Sequence, residues 1–229
     1  MSTFLTIHTR YTDVQFALFK DAQLIDWTSD ESKKVSKNFI PLMKELFKRN
    51  KLTLQDLAFI AAHQGPAPFT TLRVSLASVN GLAFATHLPL VGVNGLETFL
   101  EEHHHKHYVT IALLNAFCQD VYYGIYDPQA KIISINYGAA ENIIKTQAEK
   151  YQENVFFIGN GVELYKPIIQ EYFGTRAHIP EPLPTVASLH SIGITAYKKW
   201  QEKTDIAQQL MPLYLKSHSA VLNLSGCQP

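Results

Sequence analysis

One pattern of strand-like and helix-like runs occurs twice in this chain, and that repetition restricts the fold more than any other feature. In the first copy Phe4 to Ile7, Val14 to Phe19 and Leu24 to Thr28 read as a three-strand meander. Ser36 to Lys48 follows with helical spacing of Phe39, Ile40, Leu42, Met43, Leu46 and Phe47. Pro41 fits that helix only in its first turn, which places the start near Lys37 to Ile40. Leu57 to Ala62 then reads as a strand, Phe69 to Thr86 as a helix, Leu90 to Val93 as a strand and Leu96 to Glu102 as a short helix. After the polar stretch Glu101 to His107 the series restarts. Tyr108 to Leu114, Val121 to Tyr126 and Ile132 to Asn136 are strands, Ala140 to Tyr151 a helix, Val155 to Ile158 a strand and Gly161 to Tyr172 a helix stopped by Gly174. Leu5-Thr6-Ile7 corresponds to Val109-Thr110-Ile111, and Asp13-Val14 to Asp120-Val121, as a duplication requires.

An α/β chain of two βββαβα halves resembles the duplicated fold of actin-like and sugar-kinase-like ATPases (ASKHA, RNase H-like), which hold a nucleotide between the halves. The first half is expected over 1–103 and the second over 104–216, with 217–229 a flexible tail. Pro180 to Pro184 reads as a linker, followed by a last helix from about Val186 to Trp200 and a closing segment from Met211 to Lys216.

Composition narrows the function. With 20 basic and 20 acidic residues in 229, the formal net charge is zero, unlike a protein that grips nucleic acid by itself. Charged residues are 17% of the chain, against roughly 25% in ordinary soluble domains, which favours a surface partly covered by another chain. The two cysteines, Cys118 and Cys227, build no disulfide framework and no metal-ligand pattern with histidines. The N-terminal residues lack the charged and apolar blocks of a signal peptide. The longest apolar runs, such as Ile111 to Leu114, fall far short of the ~18 residues of a membrane span. The expectation is a cytoplasmic protein with no membrane contact.

The segment Gly65-Pro66-Ala67-Pro68-Phe69-Thr70-Thr71-Leu72-Arg73-Val74-Ser75 stands between a strand and a helix. Glycine and two prolines fix a tight turn, and Thr70 or Thr71 is expected to cap the helix. A phosphate cradle is disfavoured. The Walker pattern is absent, and two prolines remove two backbone N–H donors. Ser75, Ala77, Ser78, Gly81, Ala83 and Ala85 make the helix small-sided, and Gly81 calls for a packing reason because it costs roughly 1 kcal/mol against alanine.

Gly65 to Ala83 resembles the signature Gly-Pro-Gly-Ser-Phe-Thr-Gly-Leu-Arg-Ile-Gly-Leu-Ala…Gly-Leu-Ala of the TsaB (YeaZ) family of bacterial tRNA-modification proteins. The likeness runs along the chain, through Leu5 to Arg10, Leu114 to Tyr122, Gly159-Asn160-Gly161 and Pro212-Leu213-Tyr214-Leu215. Departures accompany it. The family's strand-one aspartate is His8, its second-half aspartate is Asn115, and two signature glycines are Ala67 and Thr71. Without both carboxylates the metal and phosphate of a phosphoryl transfer have no evident holders.

The family's catalytic relative, TsaD, carries Val-Asn-His-x-x-x-His, whose histidines hold a metal. The matching Val93-Asn94-Gly95-Leu96-Glu97-Thr98-Phe99 places Gly95 and Phe99 at those positions, and neither side chain ligates metal. Ser36, Ser75 and Ser78 lack a nucleophile elbow, and Cys118 has no marker of reactivity. His103-His104-His105-Lys106-His107 reads as a solvated connection rather than a metal site. The resemblance therefore implies no catalytic residue, no metal and no cofactor. It implies a non-catalytic scaffold that pairs with a TsaD-like enzyme as a heterodimer. With a TsaE-like ATPase the pair supports transfer of threonylcarbamoyl to the adenosine beside the tRNA anticodon, tRNA being met only through the complex. The pairing surface it implies lies on the two first-half helices, at Phe39, Leu42, Met43, Leu46, Leu72, Ser75, Ser78 and Val79. Two alternatives stay open: an ATP-binding enzyme of the same superfamily, and a protein that self-associates, as a homodimer, through the same helices.

Overall fold

The computed structural model describes Met1–Leu215, so the expected tail over 217–229 lies outside the described residues. The first unit comprises Met1–Thr98 and Ser188–Leu213, and the second Phe99–Ala187, to which Tyr214 also belongs.

In the first unit a meander of β1 (Thr3–Thr9), β2 (Asp13–Lys20) and β3 (Gln23–Glu31) leads into α1 (Val35–Asn50). Then come β4 (Phe59–His63), α2 (Phe69–Thr86), β5 (Leu90–Val93) and α3 (Gly95–His103). β4 lies parallel to β1 with Leu5 opposite Ile60, and β5 lies parallel to β4. Successive side chains of a strand face opposite sides, and both sides of this sheet are covered. Leu5, Ile7, Val14, Phe16 and Leu18 pack with Phe39, Met43, Leu46, Leu72, Leu76 and Val79 of α1 and α2. On the other side Phe4 stacks on Phe19 and Phe59, and Phe59 stacks on Trp200 of a later helix, α6 (Leu189–Glu202).

The second unit repeats the plan with β6 (Val109–Asn115), β7 (Asp120–Asp127), β8 (Ile132–Ala139), α4 (Ala140–Lys150), β9 (Val155–Ile158) and α5 (Asn160–Phe173). β6 and β9 are parallel, with Val109 opposite Val155. Ile111, Leu113, Val121, Ile144, Phe157, Val162, Ile169 and Phe173 form its core. Two-residue strands, β10 (Ala177–His178) and β11 (Ile206–Ala207), add an edge to each sheet.

Three expectations are corrected. α6 and the segment to Leu213 join the first unit, and the unit boundary falls inside α3 between Thr98 and Phe99 rather than after His103. The aromatic face of the first sheet needs a cover, and α6 supplies it with Gly193 set against the Phe19 ring. Pro41 lies inside α1, which begins at Val35. α2 is preceded by Pro68 at its N-cap with no side-chain cap; Leu72 N–H donates to the Pro68 carbonyl at 2.9 Å, while Thr70 and Thr71 lie within the helix.

Candidate functional site

The signature turn is built as a crossing point of the first sheet. Gly65 has φ +115°, a left-handed conformation that L side chains rarely adopt, and its carbonyl accepts the Gly95 N–H at 2.9 Å. Gln64 holds the closing segment: its Nε2 donates to the Met211 carbonyl at 2.8 Å, and its own carbonyl accepts from Leu213 N–H at 2.9 Å. Asn80 of α2 completes this tie, donating to the Leu210 carbonyl and accepting its N–H, both at 2.9 Å. The closing segment expected from the sequence is thus a strap beside α2.

Where the family motif has a strand-one aspartate, His8 stands buried beside His63 of β4, ring edge to ring face at 5.1 Å. Burial is the main cause that keeps the His63 imidazole neutral, lowering its pKa to about 4 against the favourable backbone of Thr9 and Gly65. His8 is lowered well below the ordinary histidine value, first by burial, then by His63 and Arg10. His63 escaped the sequence reading. The available signal was Gly95: a Cβ there would overlap the His63 ring. Asn94 caps α3 through its Oδ1, which accepts from Leu96 N–H at 3.1 Å and Glu97 N–H at 3.3 Å.

Asn115, at the second-half aspartate position, supports a turn. Its Oδ1 accepts from Phe117 N–H at 2.9 Å, and its N–H donates to Asn160 Oδ1 at 2.9 Å. Phe117, Cys118 and Gln119 are left-handed in succession, with φ of 58°, 53° and 63°.

The eight residues expected to face a partner are placed largely inside the first unit. Phe39, Met43, Leu46, Leu72, Ser75 and Val79 are buried, while Leu42 and Ser78 are half-buried. The apolar surplus of α1 is absorbed because that helix packs against β2 and β3 as well as α2. The Ser78 hydroxyl donates to the Val74 carbonyl at 2.9 Å. Outward from these helices stand other residues: Ile40 on α1, and on α2 Ala77, Gly81 and Phe84, the last 85% exposed. Among the described residues a Cβ on Gly81 would meet nothing within 4 Å, so packing among them does not account for this glycine.

The histidine run is more ordered than a solvated connection. His105 Nδ1 accepts from His107 N–H at 3.2 Å and Tyr108 N–H at 3.1 Å, and its ring stacks on Tyr108. Among the described residues no three histidine, cysteine, aspartate or glutamate side chains converge as metal ligands. Among them, too, no helix is long and apolar enough to cross a membrane.

Comparison with known proteins places the chain beside proteins of tRNA threonylcarbamoyladenosine biosynthesis. The family model for TsaD, tRNA N6-adenosine threonylcarbamoyltransferase, matches residues 29–223. The tRNA threonylcarbamoyladenosine biosynthesis protein TsaB of Bacillus subtilis is 24% identical over 221 residues, 93% of this chain and 94% of that protein. The tRNA N6-adenosine threonylcarbamoyltransferase of Solidesulfovibrio magneticus is 40% identical over 60 residues, which are 26% of this chain and 16% of that enzyme. A solved structure from Pseudomonas aeruginosa, of an uncharacterized protein with similarity to peptidase YEAZ, superposes with a TM-score of 0.70 at 22% identity. The match covers 94% of this chain and 100% of that one. The fold is accordingly the duplicated α/β plan expected from the repeat, shared with that structure.

Proposed function

Because this chain belongs to the threonylcarbamoyltransferase family, as a diverged TsaB (YeaZ) member, we propose that it is a non-catalytic scaffold for a TsaD-like enzyme. The chain takes part in tRNA threonylcarbamoyladenosine biosynthesis. One observation carries the scaffold reading. Position 95, where the catalytic relative's motif has a metal-holding histidine, is a glycine whose side-chain space is filled by His63. A side chain at this position would have to displace the buried His63 ring. The same reading gives the exposed face of α2 a purpose. Ala77 and Gly81 let a partner helix approach, and Phe84 supplies area worth ~25 cal/mol per Å² on burial. The partner face accordingly moves from the buried residues to Ile40, Ala77, Gly81 and Phe84. A TsaE-like ATPase joins the pair, and the complex works in the cytoplasm.

Co-elution with the TsaD-like chain of the same genome tests the reading. Phe84→Glu and Ala77→Glu are each expected to weaken association at least about tenfold, since an unpaired carboxylate resists desolvation. Melting should stay within about 1 °C of wild type, because exposed substitutions change little. Intact association in both variants would remove α2 from the interface, and failure of the wild-type pair to associate would remove the scaffold reading.

Nucleic acid gives a second test. A chain with equal basic and acidic counts is expected to bind tRNA alone at least about tenfold more weakly than the complex does. Tight, salt-sensitive retardation of tRNA by the chain alone would contradict this.

A further inference from the structure

His8 and His63 stand side by side on the same face of parallel strands β1 and β4, with only 1% and 4% of their surface exposed. Among the described residues, the Nδ1 atoms of both are buried without a hydrogen-bond partner. Gln15, opposite His8 across β1 and β2, has an unpartnered Oε1, and so has the Thr6 hydroxyl one pleat along the same face. This polar layer is enclosed and incompletely satisfied, a costly arrangement that tolerates no added charge. It also lies under the signature turn: the His63 ring engages the backbone of Thr9 and Gly65, and Gly65 in turn receives the Gly95 N–H. Three residues on, Pro68 is the N-cap of α2.

We propose that the His8–His63 pair is an acid-sensitive latch that holds the Gly65–Pro68 turn and the start of α2 while both imidazoles are neutral. The link to partner docking rests on the scaffold reading above; the latch itself does not. A proton on either ring places a cation in the enclosed layer next to the other imidazole. Arg10, ion-paired with Asp13 at 3.4 Å, adds a further positive charge beside His8. From β2 the Gln15 side chain hydrogen-bonds His8 and Asp13 pairs with Arg10, and α3 contributes Gly95. The sign follows. Both folded-state values lie below the unfolded histidine value of about 6.5, so in the intervening window the unfolded chain binds more protons. Stability is fully present above pH ~6.5 and is lost as pH falls toward about 4.

Thermal melting of the full chain between pH 7 and 4.5 tests the latch, with wild type compared with His8→Gln and His63→Gln, which keep an amide donor. Wild type is expected to lose about 10 °C or more over this range, and each variant at least a third less. An unchanged slope in both variants would overturn the proposal. Should either variant fail to fold, hydrogen exchange on wild type decides. The Leu72 and Gly95 amides, which donate to the Pro68 and Gly65 carbonyls, should lose protection at a higher pH than those of the β2–β3 pair, and simultaneous loss would overturn the latch. Association with the TsaD-like chain is measured at pH 7.5 and 5.5. A fall at the lower pH that the glutamine variants lessen supports the coupling, and a fall of equal size in all three proteins refutes it. Absence of association at both values tells against the scaffold reading, with melting and exchange still deciding the latch.

Discussion

Gly159→Ala is expected to leave the second unit unable to hold its native fold. Gly159 sits between β9 and α5 at φ +106°, and a Cβ there would overlap the backbone carbonyl of Leu113 on the neighbouring strand β6. Backbone cannot step aside as the far end of a flexible side chain can. Gly161 meets the same carbonyl, so the two glycines together let the start of α5 approach β6. That approach lets Asn160 Oδ1 accept the Asn115 N–H, and it brings the N–H groups of Gly159 and Asn160 to the carbonyls of Pro184 and Thr185. Strain, overlap and lost hydrogen bonds act together, for a cost of about 4 kcal/mol or more out of a total stability of roughly 5–15 kcal/mol. In a protein of this size each kcal/mol moves the melting temperature by about 2–4 °C, so a fall of ~10 °C or more, or insoluble protein, is the expected result. Gly81→Ala is the control. Its Cβ would enter open space on α2, and the exchange should be neutral or stabilising by up to about 1 kcal/mol in the isolated chain. Equal melting of Gly159→Ala and wild type would show that the β6–α5 approach is looser than described.

Much of this plan was legible because each half alternates local signals of strong contrast. β5, β9 and α2 begin and end where the apolar runs and the flanking turn residues place them. The two-residue strands β10 and β11 carry no periodicity of their own; pairing with β9 and β5 makes them strands. The place of α6 is a tertiary fact. Its apolar residues show that it packs, while the surface it covers is set by the ring stack of Phe4, Phe19 and Phe59. Pro41 misled because α1 starts a full turn earlier and carries the missing N–H in its interior. At the site, the family resemblance drew attention to His8 and Asn115, which stand at the two aspartate positions of its motif. The sequence concealed what fills the space, because His63 and Gly95 lie 32 positions apart and meet only when β4 and the start of α3 are in place.

The partner face shows the same limit, and Met43→Glu turns it into a measurement. From sequence alone, an apolar helix side that meets a partner and one that meets the core look alike. Met43 is 3% exposed among Phe39, Leu46 and Val79 in the first unit's core, so a glutamate there has neither solvent nor a counter-charge. Burying an unpaired carboxylate costs several kcal/mol, and the lost methionine packing adds about 2 kcal/mol or more. The expected outcome is a chain that melts at least ~10 °C lower or does not fold, with association lost as a consequence. Phe84→Glu and Ala77→Glu, on the outer side of α2, should melt normally and lose association alone. Normal melting of Met43→Glu with lost association would place the interface where the sequence first put it, and would mean that α1 packs less deeply against β2 and β3 than its burial indicates.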